Sequence, residues 1–101
     1  HFLKALVAPR ALLSMEGLGY LWGNPSGSWQ THLAAREVYR FLGAEERIGI
    51  WFREGGHEHG LVDWCAFLDF MQWQLCGGPR PEGLECNPYP EMPQAFHWSA
   101  P

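Results

Sequence analysis

The chain has 101 residues with seven basic and eleven acidic side chains, which gives a formal net charge of −4 at pH 7. Because nucleic acids and anionic membrane surfaces call for clustered Lys and Arg, this charge argues against both partners, and no apolar run approaches the roughly 18 residues of a membrane-spanning helix. The hydrophobic content of 47% and the six Trp residues indicate a packed core, or a pocket lined with rings, in at most one small domain.

The first elements along the chain are a helix end, a strand and a long loop. Residues 2–7, FLKALV, have the composition of a helix end, and a Pro turn follows them. Residues 11–16, ALLSME, form an apolar run of strand length between a Pro turn and a Gly turn, which favours a buried strand. Residues 17–28, GLGYLWGNPSGS, are rich in Gly and are expected to form a loop.

A helix is expected over residues 29–42, WQTHLAAREVYRFL. Ser28 is a suitable N-cap because its hydroxyl oxygen can accept a hydrogen bond from an N–H of the first turn. Gly43 supplies the stop at the other end. The apolar face of this helix is expected to comprise Trp29, Leu33, Val38, Phe41 and Leu42.

A second strand and helix follow. Residues 47–53, RIGIWFR, combine β-branched and aromatic residues and predict a strand. Residues 61–75 predict a helix in which Asp63 lies in the first turn, where a carboxylate meets the helix dipole favourably. Asp63 lies off the apolar stripe, which recurs at helical spacing and comprises Leu61, Trp64, Phe67, Leu68, Met71 and Leu75.

The alternation of these elements predicts the fold class. Strand, helix, strand and helix in this order indicate an α/β fold with a mostly parallel sheet. Two strands are too few for such a sheet, so residues 1–76 are expected to be the closing part of a larger domain. Residues 77–101 are rich in Pro and lack periodicity, so they are expected to form an extended tail that lies over the body or is partly disordered.

The three cysteines carry limited information. They have no C-x-x-C spacing, which argues against a structural zinc site. Cys76 and Cys86 flank a loop rich in Gly and Pro and can pair if the protein is exported, so their pairing is left open. Cys65 falls within the second predicted helix and is expected to be a buried, small apolar residue.

The segment REGGHEHGLVDW, residues 53–64, joins the second strand to the second helix. In open α/β sheets, functional groups collect at the carboxyl ends of the strands, and His57 follows such an end. Gly55 and Gly56 allow a sharp turn before it. Because imidazole titrates near neutral pH, His57 is a candidate general base; the alternative is an ordinary histidine in a surface loop.

A metal site is the weaker interpretation of the same segment. His57 and His59 form an H-x-H pattern with Glu54, Glu58 and Asp63 nearby. The two-residue spacing suits a strand better than a turn, however, and no third ligand is fixed by spacing. We therefore expect no bound metal, and we expect His59 to form local hydrogen bonds.

The other residues of a hydrolase triad are not evident. Glu16 is the only carboxylate between residues 11 and 37, and it lies at the end of the first strand rather than in the loop beyond it. No G-x-S-x-G sequence occurs, and Ser26 lies in a turn without the context of a nucleophile elbow. Ser26 is therefore expected to be a turn residue.

Four stretches of the sequence together resemble the C-terminal part of the glucuronoyl esterases and their bacterial relatives, which are α/β hydrolases of a carbohydrate esterase family. The resemblance covers most of residues 3–75, and its most specific piece is G-G-H with a Trp seven residues after the His and then F-L-D-F. The WSAP ending is also similar to the family's tail. The four stretches are LVAPRALLSMEG, LWGNPSG, VYRFLG and REGGHEHGLVDWCAFLDF.

The resemblance implies a three-layer αβα sandwich, of which this chain supplies the last two strands and helices. It implies hydrolysis of 4-O-methyl-glucuronate esters that link xylan to lignin alcohols, by a serine, a histidine and an acid without a metal or other cofactor. His57 matches the catalytic histidine, and Trp22 matches a pocket tryptophan whose ring suits the C–H face of a sugar. The implied partners are a carbohydrate ester substrate and the upstream part of the same hydrolase domain, in a secreted or periplasmic protein.

One position departs from the family pattern. Bacterial relatives often read D-L-W in the first loop, with the Asp as the acid, whereas this chain reads Tyr20-Leu21-Trp22. A tyrosine does not accept the imidazole N–H as a carboxylate does. The acid is therefore expected upstream of residue 1, as in some members of the family; the alternatives are Glu16 as the acid, or a weakened activity.

The nucleophile is also expected upstream, because the order along the chain in α/β hydrolases is Ser, acid, His. The chain alone is therefore expected to be inactive. Two other interpretations stay open. One is a non-catalytic relative that serves as a carbohydrate-binding or structural domain, and the other is an esterase, acetyl esterase or peptidase of different specificity, since the fold does not fix the substrate.

Overall fold

The computed structural model describes all residues, His1–Pro101. Strands and helices alternate along the chain, as the sequence predicts. The elements are helix α1 (Phe2–Ala5), strand β1 (Leu12–Gly17), a 3₁₀ turn (Leu21–Gly23), helix α2 (Pro25–Phe41), a second 3₁₀ turn (Glu45–Arg47), strand β2 (Ile48–Arg53) and helix α3 (Leu61–Cys76).

The two strands pair in parallel, which confirms the predicted α/β class. Leu12 lies opposite Ile48 at the start of the pair, and Gly17 lies opposite Arg53 at its end. Helix α2 forms the crossover between the strands, as a parallel connection requires. The carboxyl ends of β1 and β2 therefore meet at one edge of the sheet, and the loops that follow them start side by side.

The core lies between α2 and the sheet, and the predicted apolar face of α2 is partly wrong. Tyr39 is fully buried against Ile48, and its hydroxyl donates to the carbonyl of Arg10 at 2.9 Å. Phe41 and Leu42, which were expected on the buried face, are exposed. The hydrophobicity pattern missed Tyr39 because its polar hydroxyl finds a partner only in the folded chain.

The N-terminus of α2 lies four residues before the predicted one. Asn24 is the N-cap, and its side-chain oxygen accepts the N–H of Gly27 at 3.1 Å. Pro25 occupies the first helical position, where its missing N–H costs nothing. Ser28, the predicted cap, lies inside the helix, so that expectation is wrong. Ser26 donates to Asn24 at 3.1 Å within the first turn.

Helix α3 has the predicted position but presents a different face to the sheet. Phe70 and Asp63 are buried, and Phe70 lies within 4 Å of the position that a β-carbon on Gly49 of β2 would occupy. Four of the six residues of the predicted stripe are exposed, with Leu61 and Leu68 at 79% and 60%, and Phe67 and Met71 are half-buried. Cys65 is exposed as well, so its predicted burial is wrong. Helical spacing identifies a stripe, but not whether this chain or another segment covers it.

The tail after α3 has no helix or strand and packs along α2. Leu84 is buried, and Glu85 pairs with His32 and Arg36 of α2 at 2.9 and 3.0 Å. Near the end of the tail, the N–H of Ala100 donates to Glu37 at 2.9 Å. The tail therefore lies over the body, one of the two arrangements expected from its composition.

The cysteines of the chain are all exposed and unpaired, so Cys76 and Cys86 do not form a disulfide in this structure. No helix of the chain has the length and apolar character needed to cross a membrane.

Candidate active site

The loops that follow β1 and β2 are joined by backbone hydrogen bonds. The N–H of Leu18 donates to the carbonyl of Arg53 at 2.8 Å, and the N–H of Gly19 donates to the carbonyl of Gly55 at the same distance. These bonds continue the strand pairing beyond the last residues of the sheet. They hold the segment that contains Tyr20 beside the segment that contains His57.

Glycine is required where the two loops touch. A β-carbon on Gly17 would overlap the carbonyl oxygen of Gly56, and a β-carbon on Gly19 would lie 2.9 Å from the carbonyl oxygen of Gly55. Gly55 itself has a φ of 102°, which side chains rarely tolerate. The predicted sharp turn before His57 is confirmed, and Gly55 is the residue that makes it.

His57 is exposed in the loop after β2, at the carboxyl edge of the sheet. Its ring lies against the ring of Tyr20, with the centroids 4.4 Å apart and the planes tilted by 51°. Both residues line a cleft of about 230 Å³ together with Glu16 and His59. Ligand pockets usually measure roughly 300 to 1,000 Å³, so this cleft is smaller than a typical complete pocket.

Arg53 and Asp63 also line this cleft and form an ion pair that is largely shielded from solvent. The Nε of Arg53 donates to Oδ1 of Asp63 at 2.7 Å, and Oδ2 of Asp63 accepts the N–H of Gly60 at 2.8 Å. Burial acts to raise the pKa of Asp63, but the Gly60 N–H and the Arg53 guanidinium outweigh it, so the pKa lies below its usual value. Asp63 is therefore charged at neutral pH and caps α3.

The structure brings Glu16 and His57 into one cleft without a hydrogen bond between them. Glu16 is the residue of β1 opposite Phe52, one position before the strand ends. Trp22 lies in the 3₁₀ turn between Tyr20 and Gly23, two residues that line the cleft, and it is 94% exposed. Its indole is therefore exposed to solvent beside the cleft.

His59 points to a different neighbour from His57. Its ring packs edge-on against Trp64 of α3, with the centroids 4.7 Å apart. No group of three or more His, Cys, Asp or Glu side chains in the chain is arranged to hold a metal ion. No serine lines the cleft beside His57 either.

Sequence reasoning missed several residues that shape the site. The sequence predicts Arg53 only as the end of a strand and Asp63 only as a charge in the first turn of a helix, whereas in the structure the two form an ion pair at the base of the loop. The available signal is an arginine at the end of a strand that is otherwise apolar. Gly17 and Gly19 were assigned to a loop without a reason for Gly at those positions, because the reason is contact with a backbone more than thirty residues away.

Known proteins similar to this chain are carbohydrate esterases. A family model described as fungal glucuronyl esterase matches residues 1–43. The 4-O-methyl-glucuronoyl methylesterase 1 of Phanerochaete chrysosporium is 42% identical over 71 residues, covering 70% of this chain and 14% of that protein. The 4-O-methyl-glucuronoyl methylesterase of Cerrena unicolor is 42% identical over 75 residues, covering 74% and 15%.

A solved structure agrees over almost the whole chain. It is a glucuronoyl esterase of carbohydrate esterase family 15 from Caldicellulosiruptor kristjansonii, with a TM-score of 0.89 and 36% sequence identity, covering 96% of this chain and 26% of that one. Along these residues the chain has the fold of part of an α/β hydrolase and is similar in sequence to the glucuronoyl esterases. This confirms the resemblance and the fold class inferred from the sequence. The segment spans about one seventh of the length of the two fungal relatives.

Proposed function

We propose that this segment supplies the catalytic histidine, His57, of a serine-dependent carboxylic ester hydrolase that cleaves 4-O-methyl-glucuronate esters. The observation that carries the proposal is the position of His57, in the turn directly after β2, in a cleft at the shared carboxyl edge of two parallel strands. In open α/β sheets, catalytic and ligand-binding residues lie at that edge. The methylesterase relatives supply the substrate class.

The chemistry follows from an exposed imidazole in such a cleft. A serine hydroxyl from the rest of the hydrolase attacks the ester carbonyl carbon while His57 takes its proton. The alcohol then leaves with that proton, and an acyl-enzyme remains. His57 next removes a proton from water, which attacks the acyl carbon and releases the uronic acid and the free serine. A third group, a carboxylate, is needed to orient the imidazole.

Trp22 is proposed to bind the sugar ring of the substrate. Its indole is 94% exposed and belongs to the turn that borders the cleft. Aromatic faces stack on the C–H face of a sugar, and an exposed ring can do so without displacing any protein contact.

The remaining walls of the pocket are proposed to come from the upstream part of the same hydrolase domain. The outer face of α3 exposes Leu61, Leu68 and Leu75, which lie seven residues apart on one side of the helix. Residues at this spacing form a stripe that a neighbouring segment can cover.

The resemblance to the esterase family also implies that the complete protein is secreted or periplasmic. Cell fractionation of an expressing host tests this localisation.

The non-catalytic alternative is favoured by one observation, the Tyr20 ring that lies against His57. The resemblance to the esterase family implies an acid at this position in many bacterial relatives. Under the non-catalytic alternative, the domain would bind carbohydrate without cleaving it. A carboxylate supplied from another strand distinguishes the two functions, because the imidazole then regains its orienting partner.

A chimera tests the proposal directly. Residues 1–101 replace the aligned segment of the Caldicellulosiruptor kristjansonii esterase, which is similar along 96% of this chain. We expect the chimera to hydrolyse a 4-O-methyl-glucuronate ester, and residues 1–101 alone to be inactive because no serine lines the cleft. A folded chimera that binds the substrate without turnover would support the non-catalytic alternative.

A further inference from the structure

We propose that Arg53 is a positioning residue that holds the backbone on both sides of His57 and so fixes the direction of the imidazole. The proposal rests on the proposed role of His57. Arg53 is the last residue of β2, and its side chain is only 13% exposed although it lies at the base of a solvent-exposed loop. A buried guanidinium at such a position needs partners, and the loop supplies them.

Each of the five N–H donors of the guanidinium has an acceptor. Nε donates to Asp63 at 2.7 Å. Nη1 donates to the carbonyl of Glu54 at 3.0 Å and to the carboxylate of Glu58 at 3.3 Å. Nη2 donates to the carbonyl of Gly56 at 3.2 Å and to the carbonyl of Glu58. The last two acceptors belong to the residues immediately before and after His57.

The hydrogen bonds of Arg53 reach both ends of the loop between β2 and α3. At the far end, Asp63 accepts the N–H of Gly60 and so ties the start of α3 to the same guanidinium. Within the loop, Glu58 accepts the N–H of Gly56 at 3.0 Å. Residues 57–60 are exposed, so little apolar packing fixes this part of the backbone. The planar guanidinium is therefore the main constraint on the peptide that contains His57.

Lysine does not reproduce this arrangement. An ammonium group has three donors on a flexible stem, whereas the guanidinium presents five in a rigid plane. Arg53→Lys keeps the charge beside Asp63 and loses the bonds that bracket His57. Since all five donors of Arg53 are used within the protein, none remains for a substrate. The expected effect is therefore on the rate of the chemical step rather than on substrate binding.

The first test measures loop order in the 101-residue chain by ¹⁵N relaxation and amide hydrogen exchange at Gly56, His57 and Glu58. We expect faster amide exchange and larger ps–ns motion of these residues in Arg53→Lys and Arg53→Gln. The matched control is Arg47→Lys in the 3₁₀ turn just before β2, where Arg47 donates to Gln74 at 3.1 Å. That variant should leave the loop unchanged.

Glu58→Ala is a milder variant that keeps the test possible if the Arg53 variants do not fold. Glu58→Ala removes two of the loop's side-chain contacts without disturbing the buried pair of Arg53 and Asp63. It should loosen Gly56 and His57 to a smaller extent than Arg53→Gln. Loop dynamics that are the same in wild type, Arg53→Gln and Glu58→Ala would overturn the proposal.

The second test measures kinetics in the chimera. Arg53→Lys should lower kcat by about tenfold or more, because a small misplacement of a catalytic group is costly, and should leave KM within about twofold. An unchanged kcat, or a rise in KM alone, would overturn the positioning role. If His57→Ala leaves activity intact, the proposed function fails, and the measurement of loop order still decides whether Arg53 orders the loop.

Discussion

The ring of Tyr20 lies against the ring of His57, with the centroids 4.4 Å apart. The resemblance to the esterase family implies an aspartate at the position of Tyr20 in many bacterial relatives. A phenol hydroxyl does not stabilise an imidazolium as a carboxylate does. The contact therefore supports His57 by packing, and the carboxylate that the proposed catalytic role of His57 requires has to come from another residue.

Glu16→Gln in the chimera identifies whether that residue is Glu16. Glu16 lines the cleft but makes no hydrogen bond to His57. We expect kcat to stay within about fivefold of the parent chimera, rather than to fall by the roughly 10⁴-fold that loss of a triad acid causes. Tyr20→Phe is the matched control, since it keeps the ring contact and removes only the hydroxyl. A loss near 10⁴-fold in Glu16→Gln alone would assign the acid to this chain.

Trp22→Ala should weaken substrate binding. Stacking of an aromatic ring contributes about 0.5 to 1.5 kcal/mol, so we expect KM to rise roughly three- to tenfold with little change in kcat. Leu21→Ala is the control, because Leu21 is similarly exposed in the same turn. Equal KM values for Trp22→Ala and the parent chimera would remove Trp22 from the pocket.

Asn24→Ala should destabilise the chain by about 1 kcal/mol, because it removes the oxygen that accepts the Gly27 N–H. Asn24 has a φ of 51°, so Asn24→Gly relieves the backbone and should cost only a few tenths of a kcal/mol. Ser28→Ala should change the free energy of unfolding by less than about 0.5 kcal/mol. Urea denaturation of the three variants measures these differences, and a larger cost for Ser28→Ala than for Asn24→Ala would contradict the observed cap.

The position of this cap shows what the sequence can and cannot predict. The helix itself was predictable from its composition and its glycine stop at Gly43, which has a φ of 68°. The start was not, because NPSGS offers Asn24, Ser26 and Ser28 as caps, and only the backbone conformation selects among them. The position of His57 after a strand was also predictable, because the sequence shows the alternation of strands and helices.

The contacts between the tail and α2 could not be predicted from the sequence, for a different physical reason. His32 and Glu85 are 53 residues apart, and neither lies in a pattern that predicts its partner. His32 is fully buried although it is polar, because Glu85 accepts its Nε2–H at 2.9 Å. Pairings of this kind follow from the path of the tail across α2, which its Pro-rich composition does not specify.

The same pair predicts that stability falls in acid. Burial lowers the pKa of His32 more than the bond to Glu85 raises it, and Nδ1 is buried without a partner, so the native ring is neutral. Burial acts to raise the pKa of Glu85, but His32 and Arg36 lower it overall. For both groups the unfolded chain binds protons at a higher pH than the native chain does. Their contribution to stability is therefore complete above about pH 6.5 and is lost as the pH falls.

Urea unfolding of the 101-residue chain between pH 8 and pH 4 measures this dependence. His32→Gln keeps an N–H donor toward Glu85 but does not titrate, so it should flatten the curve between about pH 7 and pH 5. The loss due to Glu85 should remain below that range. A wild-type curve that rises as the pH falls from 7 to 5 would contradict the neutral, buried state of His32.

The most direct test of the account compares His57→Ala with His59→Ala in the chimera, using a 4-O-methyl-glucuronate ester. His57 faces Tyr20 in the cleft, whereas His59 packs on Trp64. We predict that His57→Ala lowers kcat by about 10⁴-fold or more, as removal of a triad histidine does, and that His59→Ala stays within about twofold of the parent. Retained activity in His57→Ala, or an equal loss in both variants, would contradict the assignment of His57 as the catalytic base.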